Sequence, residues 1–190
     1  TSGIFNFAHG AQAMLGAFAF WQLRYGWGLP TPVAIVITLC VLGPLMGLLL
    51  YVLIMRGMRD TAEVTKIVVT VSILLGMLAV SHWFWHPETP RTMSMFFGDR
   101  SGIDLFGVSV RYHELICIAV AIAVAIGLRI MFTRTRSGVA MRAVVDDPDL
   151  LRLNGHDPDR LAALSWAMGS TLAVLAGILV TPVNGGTLEA

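Results

Sequence analysis

Five stretches of this chain are apolar over roughly the 20 residues a helix needs to cross a bilayer, and polar clusters separate them. The pattern predicts helices over Ile4–Leu23, Val33–Met55, Thr65–Trp85, Glu114–Phe132 and Leu161–Val183. The expected fold is all-α, a polytopic transmembrane helix bundle of about five spans, with residues 1–190 forming a single domain. The first stretch is mixed, because it holds Asn6, His9, Gln12 and Gln22. It runs out in Trp21, Tyr25 and Trp27, and the third ends in His82, Trp83, Trp85 and His86. Aromatic residues gather in this way at the membrane–water interface. Pro30 and Pro32 break the chain after the first span, and Pro44 is expected to kink the second. Within the loop from Pro87 to His113, Ile103–Val110 has the composition of a short extended piece.

Small residues recur at a spacing of four on two of these helices. Gly43 and Gly47 form one pair; Ser165, Gly169, Ala173 and Gly177 form a longer ridge. Small residues let helix backbones approach closely in lipid, so both sets are expected to pack on other helices.

One stretch breaks the apolar pattern. Thr133–Arg160 carries five arginines (Arg134, Arg136, Arg142, Arg152, Arg160) beside Asp146, Asp147, Asp149, Asp157 and Asp159. Asp147-Pro148-Asp149 and Asp157-Pro158-Asp159 are two helix starts of one kind, each with a capping acid, a proline in the first turn and a second acid near the positive helix end. Gly155 between them is a natural C-terminal stop. The insert therefore reads as a helix, a short helix, a glycine turn and the last span. An apolar set of Val139, Ala140, Ala143 and Val144 gives the first of these helices two faces. Leu150, Leu151 and Leu153 need a surface to cover them, either the protein's own membrane face or a groove on a soluble partner.

Charge orients the chain. Of the 13 Lys and Arg residues, nine lie in or beside the loops around Arg56–Lys66 and Thr133–Arg160, which fall on one side of the membrane. The excess places those loops in the cytoplasm.

Composition agrees with this picture and narrows it. The chain is 56% hydrophobic and 13% charged, against about 25% charged in soluble domains. Its net charge of +1 and the lack of a basic stripe give nucleic acid no footprint. Cys40 and Cys117 sit in apolar runs and read as small hydrophobes. His82 and His86 are one turn apart, but their tryptophan neighbours favour an interfacial role, so no metal site is expected. Neither H-E-x-x-H nor G-x-S-x-G occurs, and no enzymatic activity is expected. The span centres lack Asp, Glu, Lys and Arg, which speaks against an ion-coupled secondary transporter.

The opening Ile4-Phe5-Asn6-Phe7-Ala8-His9-Gly10, followed by Met14-Leu15-Gly16-Ala17, resembles the start of the permeases of branched-chain amino acid ATP-binding cassette importers, of the LivH type. Gly138, Arg142-Ala143, Asp147-Pro148-Asp149, Gly155, Asp159-Arg160, Ala167–Ser170 and Leu175-Ala176-Gly177 extend the resemblance through the insert and its exit. It implies a subunit that carries Leu, Ile or Val across the bacterial inner (plasma) membrane. Its partners would be a second, LivM-type permease, two cytoplasmic ATPases that bind the ATP, and an external binding protein; the subunit itself would hold no cofactor. A urea or short-amide permease of the same superfamily is the alternative. The resemblance also implies that Asp149–Gly155 corresponds to the E-A-A-x-x-x-G coupling loop, with both alanines replaced by Leu150 and Leu151. Arg142, Asp147 and Arg160 would belong to the same coupling element. For the substrate pathway it points to Asn6, Phe7, His9 and Gly10; helix–helix hydrogen bonding is the other role open to Asn6 and His9. Family members have further spans on both sides, so the chain reads as a fragment.

Overall fold

The computed structural model describes residues 6–58, 61–86, 91–96, 102–105, 108–146, 148–153, 155, 157–183 and 187–188. The chain is a helix bundle with small strand pieces at one end. Helix α1 covers His9–Trp21 and continues as a π turn over Gln22–Gly26. Next, α2 (Thr31–Ile37) and α3 (Gly43–Leu53) are joined by a second π turn, Thr38–Leu42, and form one continuous span. Then come α4 (Glu63–Phe84), α5 (Tyr112–Arg134), α6 (Arg136–Asp146), α7 (Pro148–Leu153) and α8 (Pro158–Val180).

Among the described residues four helices are long and apolar enough to cross a membrane: Thr31–Leu53, Glu63–Phe84, Tyr112–Arg134 and Pro158–Val180. The first expected span is not among them. Residues 1–5 lie outside the described residues, and Asn6–Ala8 are a turn rather than helix. The Asn6 side-chain oxygen accepts the Ala8 backbone N–H at 3.0 Å. Such local bonds compete with helix formation, so the helix starts only at His9.

The disruption expected at Pro44 takes the form of a π turn. Proline has no N–H for the carbonyl four residues back, and its ring crowds that carbonyl. The widened turn over Thr38–Leu42 makes room, and Thr38 Oγ1 donates to the Ala34 carbonyl at 2.7 Å within it. Cys40 on this turn is exposed and Cys117 is half-buried, so neither is the core hydrophobe expected.

The short extended piece is a β-hairpin, β2 (Gly102–Leu105) with β3 (Val108–Arg111), which leads into α5. There Glu114 accepts the Arg111 backbone N–H at 3.2 Å and caps the helix. A second pair joins β1 (Arg91–Thr92) to β4 (Thr187–Leu188).

Helix α8 is common to all three hydrophobic clusters. At the strand end, Val174 and Ile178 pack with Phe18, Phe20 and Leu23 of α1 and with Ala34, Met93 and Leu188. In the middle, Trp166 packs with Ala8, Leu50, Tyr51 and Ile73. At the opposite end, Leu161 packs with Ala140, Met141 and Leu151. In contrast, no residue in the most apolar window of α5 is buried. Its Ile118, Ile122, Ile126 and Ile130 form an exposed stripe.

Candidate functional site

Glycines set how closely α8 is approached. A Cβ on Gly43 would lie 2.9 Å from the Thr171 Cα, and one on Gly47 would run into the Trp166 carbonyl and sit 2.7 Å from the Ala167 Cα. On the other flank, Gly16 faces Val174, and Gly177 is pressed on the Ala13 carbonyl. The predicted ridge is not uniformly the contact face. Gly177 is buried, whereas Ser165, Gly169 and Ala173 are half-buried. The deepest positions are Trp166, Ala167, Ser170 and Val174, because α1 and α3 flank α8 on two sides and their shared seam falls one residue beyond the ridge.

A polar cluster lies inside this seam. Gln12 and Ser170 are fully buried, and Ser170 Oγ donates to Gln12 Oε1 at 3.2 Å. His9 Nδ1–H donates to the same oxygen at 3.0 Å, which leaves Asn6 Nδ2, 3.4 Å from that nitrogen, a weaker neighbour. Gln12 Nε2 is buried with no hydrogen-bond partner among the described residues. Exchanging the amide's oxygen and nitrogen only moves the deficit to the other atom. Gly169 adds no bulk beside the imidazole, since its Cβ would stand 3.4 Å from His9 Cε1.

The depth of this cluster matters. Ser170 lies midway along α8, Ala8 packs with Trp166 before it and Gly16 meets Val174 after it, so α1 and α8 run parallel. Helix α1 therefore begins near the middle of the span. Its 13 α-helical residues rise about 20 Å, and the five-residue π turn carries it further toward the strand end. Here His9 and Gly10 are exposed, as is Phe7, while Ala8 is buried. An ionisable side chain thus stands at mid-depth, where the hydropathy pattern placed none. Gln12, Ser170 and Gly169 join Asn6 and His9 although they were not singled out for this role. Gln12 and Ser170 are separated by 158 residues, and no local pattern links them.

The charged insert forms a compact corner. Thr135 Oγ1 accepts the Gly138 N–H at 3.0 Å and starts α6. Gly138 itself touches the Met131 carbonyl, so a side chain there would block the turn from α5. Ala140 and Met141 of α6 are buried, Ala143 and Val144 half-buried, and Val139 exposed, contrary to the apolar set expected. Helix α7 ends with Gly155 at φ +78°, whose N–H donates to the Arg152 carbonyl at 2.9 Å. Asp157 then caps α8 through the Asp159 N–H at 2.9 Å, and Arg160 pairs with Asp157 at 3.3 Å. Leu151 is buried on Met141 and Leu161, and Leu153 is 85% exposed. Arg142 is exposed. Asp147 and the side chains of Asp149 and Leu150 lie outside the described residues.

A further tie joins the corner to the bundle. Tyr51 donates to Asp159 Oδ1 at 3.3 Å, and Arg56 Nε lies 3.5 Å from Asp159 Oδ2. The loop after α3 and the insert therefore share one end of the molecule, as the charge pattern requires. At the strand end, buried His113 accepts the Phe96 N–H at Nδ1 (3.2 Å) and donates from Nε2 to the Leu179 carbonyl (2.8 Å). This histidine fastens the strand-end segment to α5 and α8. Among the described residues no group of three His, Cys, Asp or Glu side chains could hold a metal ion.

Residues 1–186 match the family described as the permease component of the branched-chain amino acid transport system. The chain belongs to this family. It is 26% identical over 186 residues to a protein of Methanocaldococcus jannaschii named as a probable branched-chain amino acid transport permease, LivH. That match covers 95% of the chain and 58% of the relative. It is also 29% identical over 84 residues to BraD of Pseudomonas aeruginosa, named as a high-affinity branched-chain amino acid transport system permease. That match covers 44% of the chain and 26% of BraD. No solved structure matches significantly. This permease-family chain is thus a multi-pass membrane transport component that spans little more than half of its LivH relative.

Proposed function

We propose that the protein carries branched-chain amino acids inward across the plasma membrane, the inner membrane in a bacterium, as one permease subunit of an ATP-driven importer. The observation that carries this reading is the family match over residues 1–186. The remaining parts of the machine are a second permease subunit, two ATPases on the α7 side, which bind the ATP, and a binding protein on the strand side. The permease itself supplies a path and a lever, with no covalent chemistry and no cofactor of its own.

The lever is short. A push on α7 reaches α8 through Leu151 on Leu161 and through the Gly155 turn. From α8 it passes to α1 and α3 across the glycine seams. Asp159, held by Tyr51 and Arg56, makes the loop after α3 move with the base of α8. The path runs past the start of α1, by Asn6, Phe7, His9 and Gly10, where His9 bonds to the Gln12–Ser170 pair. Polar groups at mid-depth are costly in lipid and mark transport pathways. A half-length helix also aims its unpaired N–H groups at an anionic substrate group.

Two substitutions test the lever. Gly155→Val forces a branched residue into left-handed backbone at φ +78°, with a penalty of roughly 1–2 kcal/mol. Among the described residues nothing else lies within 4 Å of that position, so the complex should assemble while counterflow and ATP-driven uptake of leucine collapse. Undiminished uptake would remove the lever from the mechanism. Leu153→Asp leaves the buried face of α7 untouched and should weaken co-purification of the ATPases from the full-length complex. Retention at the wild-type level would mean that α7 contacts them by another face.

A further inference from the structure

A cavity of about 710 Å³ lies at the strand end, between the end of α1, helices α2 and α5, and the last turns of α8. Its size falls in the range of small-molecule sites, about 300–1,000 Å³. Ile35 and Leu39 form one flank, Ile116 and Val120 the other, and Ile178 the back. Its lining runs from Thr31 to Leu39, eight residues further on, or about 12 Å of helix. That is most of the depth of one leaflet, about 15 Å for half of the hydrocarbon core. Val36 and Ile118, close by on the two flanking helices, are exposed, so both walls continue into apolar surface.

The polar side chains of the lining are Arg24, Tyr25, Thr31 and Ser94. Arg24 Nη1 donates to the Leu29 carbonyl at 3.3 Å, and its guanidinium lies 5.6 Å from the centre of the Tyr25 ring. Tyr25 and Ser94 share a 2.8 Å hydrogen bond. Among the described residues no carboxylate pairs with Arg24, and it is the only charged side chain in the lining.

We propose that this cavity holds an acyl chain of an anionic glycerophospholipid, with the phosphate on Arg24. A cation at the mouth of a long apolar slot fits an amphiphile with a single negative head. A zwitterionic amino acid fits less well, since no described lining residue offers a carboxylate to its ammonium group, and its side chain leaves most of the depth unfilled. The site needs only membrane residence and does not depend on which solute is transported.

The test uses the full-length permease complex, purified from vesicles of equal phosphatidylglycerol and phosphatidylcholine, with bound lipid counted by native mass spectrometry. Wild type should retain phosphatidylglycerol in preference. Arg24→Gln should reduce that preference about five-fold, the worth of one interfacial cation, and Arg24→Lys should keep most of it. Val120→Trp, which fills the slot, should lose both lipids at this site while Arg24→Lys controls for folding. Equal retention in wild type and Arg24→Gln overturns the proposal. So does release of the bound lipid by millimolar leucine, which would make the slot a substrate site.

Discussion

Gly47→Ala should prevent α3 from seating on α8, and the protein should be lost from the membrane or become sensitive to protease throughout. The methyl group would meet the Trp166 carbonyl and the Ala167 Cα, both backbone. No side chain there can rotate aside, so the helices have to part. One turn earlier, Gly43 packs so closely that a Cβ there would lie 2.9 Å from the Thr171 Cα, so the separation cannot be absorbed locally. Overpacking of this kind costs about 1–3 kcal/mol or more. In lipid no hydrophobic force draws the helices together again, since association there rests on close packing. Gly76→Ala is the matched control. Among the described residues nothing lies within 4 Å of a Cβ on Gly76 in α4, and removing a helical glycine should stabilise by roughly 0.5–1 kcal/mol. Opposite signs for the two substitutions in a thermal aggregation assay are expected. Equal effects would mean that the α3–α8 seam is looser than described here.

Gln12→Met should separate transport from stability. The amide is fully buried and one of its atoms has no partner, a deficit worth about 1–3 kcal/mol. Methionine keeps the volume and removes that deficit. It also removes the bonds to His9 and Ser170, each worth about 0.5–1.5 kcal/mol. His9 is exposed, and a helical serine can turn to a carbonyl of the preceding turn. The two effects oppose, and the melting temperature should move little. Leucine uptake should nevertheless fall about ten-fold, the equivalent of one hydrogen bond of roughly 1.4 kcal/mol. Full uptake at unchanged stability would reduce the cluster to helix packing.

The parts of this molecule that were readable in advance are those in which neighbours in sequence decide the outcome. Helices α4, α5 and α8 follow from long apolar runs, and Gly155 stops α7 through its own backbone freedom. Asp157 caps α8 from two residues away. What stayed hidden depends on distant partners. The first helix starts late because Asn6 bonds to Ala8, a choice that competes with an equally plausible helical turn. The side of α8 that is buried depends on how α1 and α3 flank it, and small-residue spacing alone gave a ridge one position off. In a helix as short as α7 any of its leucines could turn inward; Leu151 does so because Met141 and Leu161 wait there. The Asp159 tie to Tyr51 joins residues 108 apart, and the His113 bond to Leu179 joins residues 66 apart. Neither leaves a trace in periodicity.

The seam between α1 and α8 also sets a problem of timing during synthesis. His9 and Gln12 bond to each other within α1, but Gln12 finds Ser170 only when that residue has been made, 158 residues later. At about 5–20 residues per second, a ribosome needs roughly 8–32 s to get there. During that interval α1 can already pack on α3 and α4, since Leu50, Tyr51 and Ile73 meet Ala8 and Trp85 stacks on Phe18. The Gln12–Ser170 bond is therefore the last tie of the polar cluster to form as the chain is made.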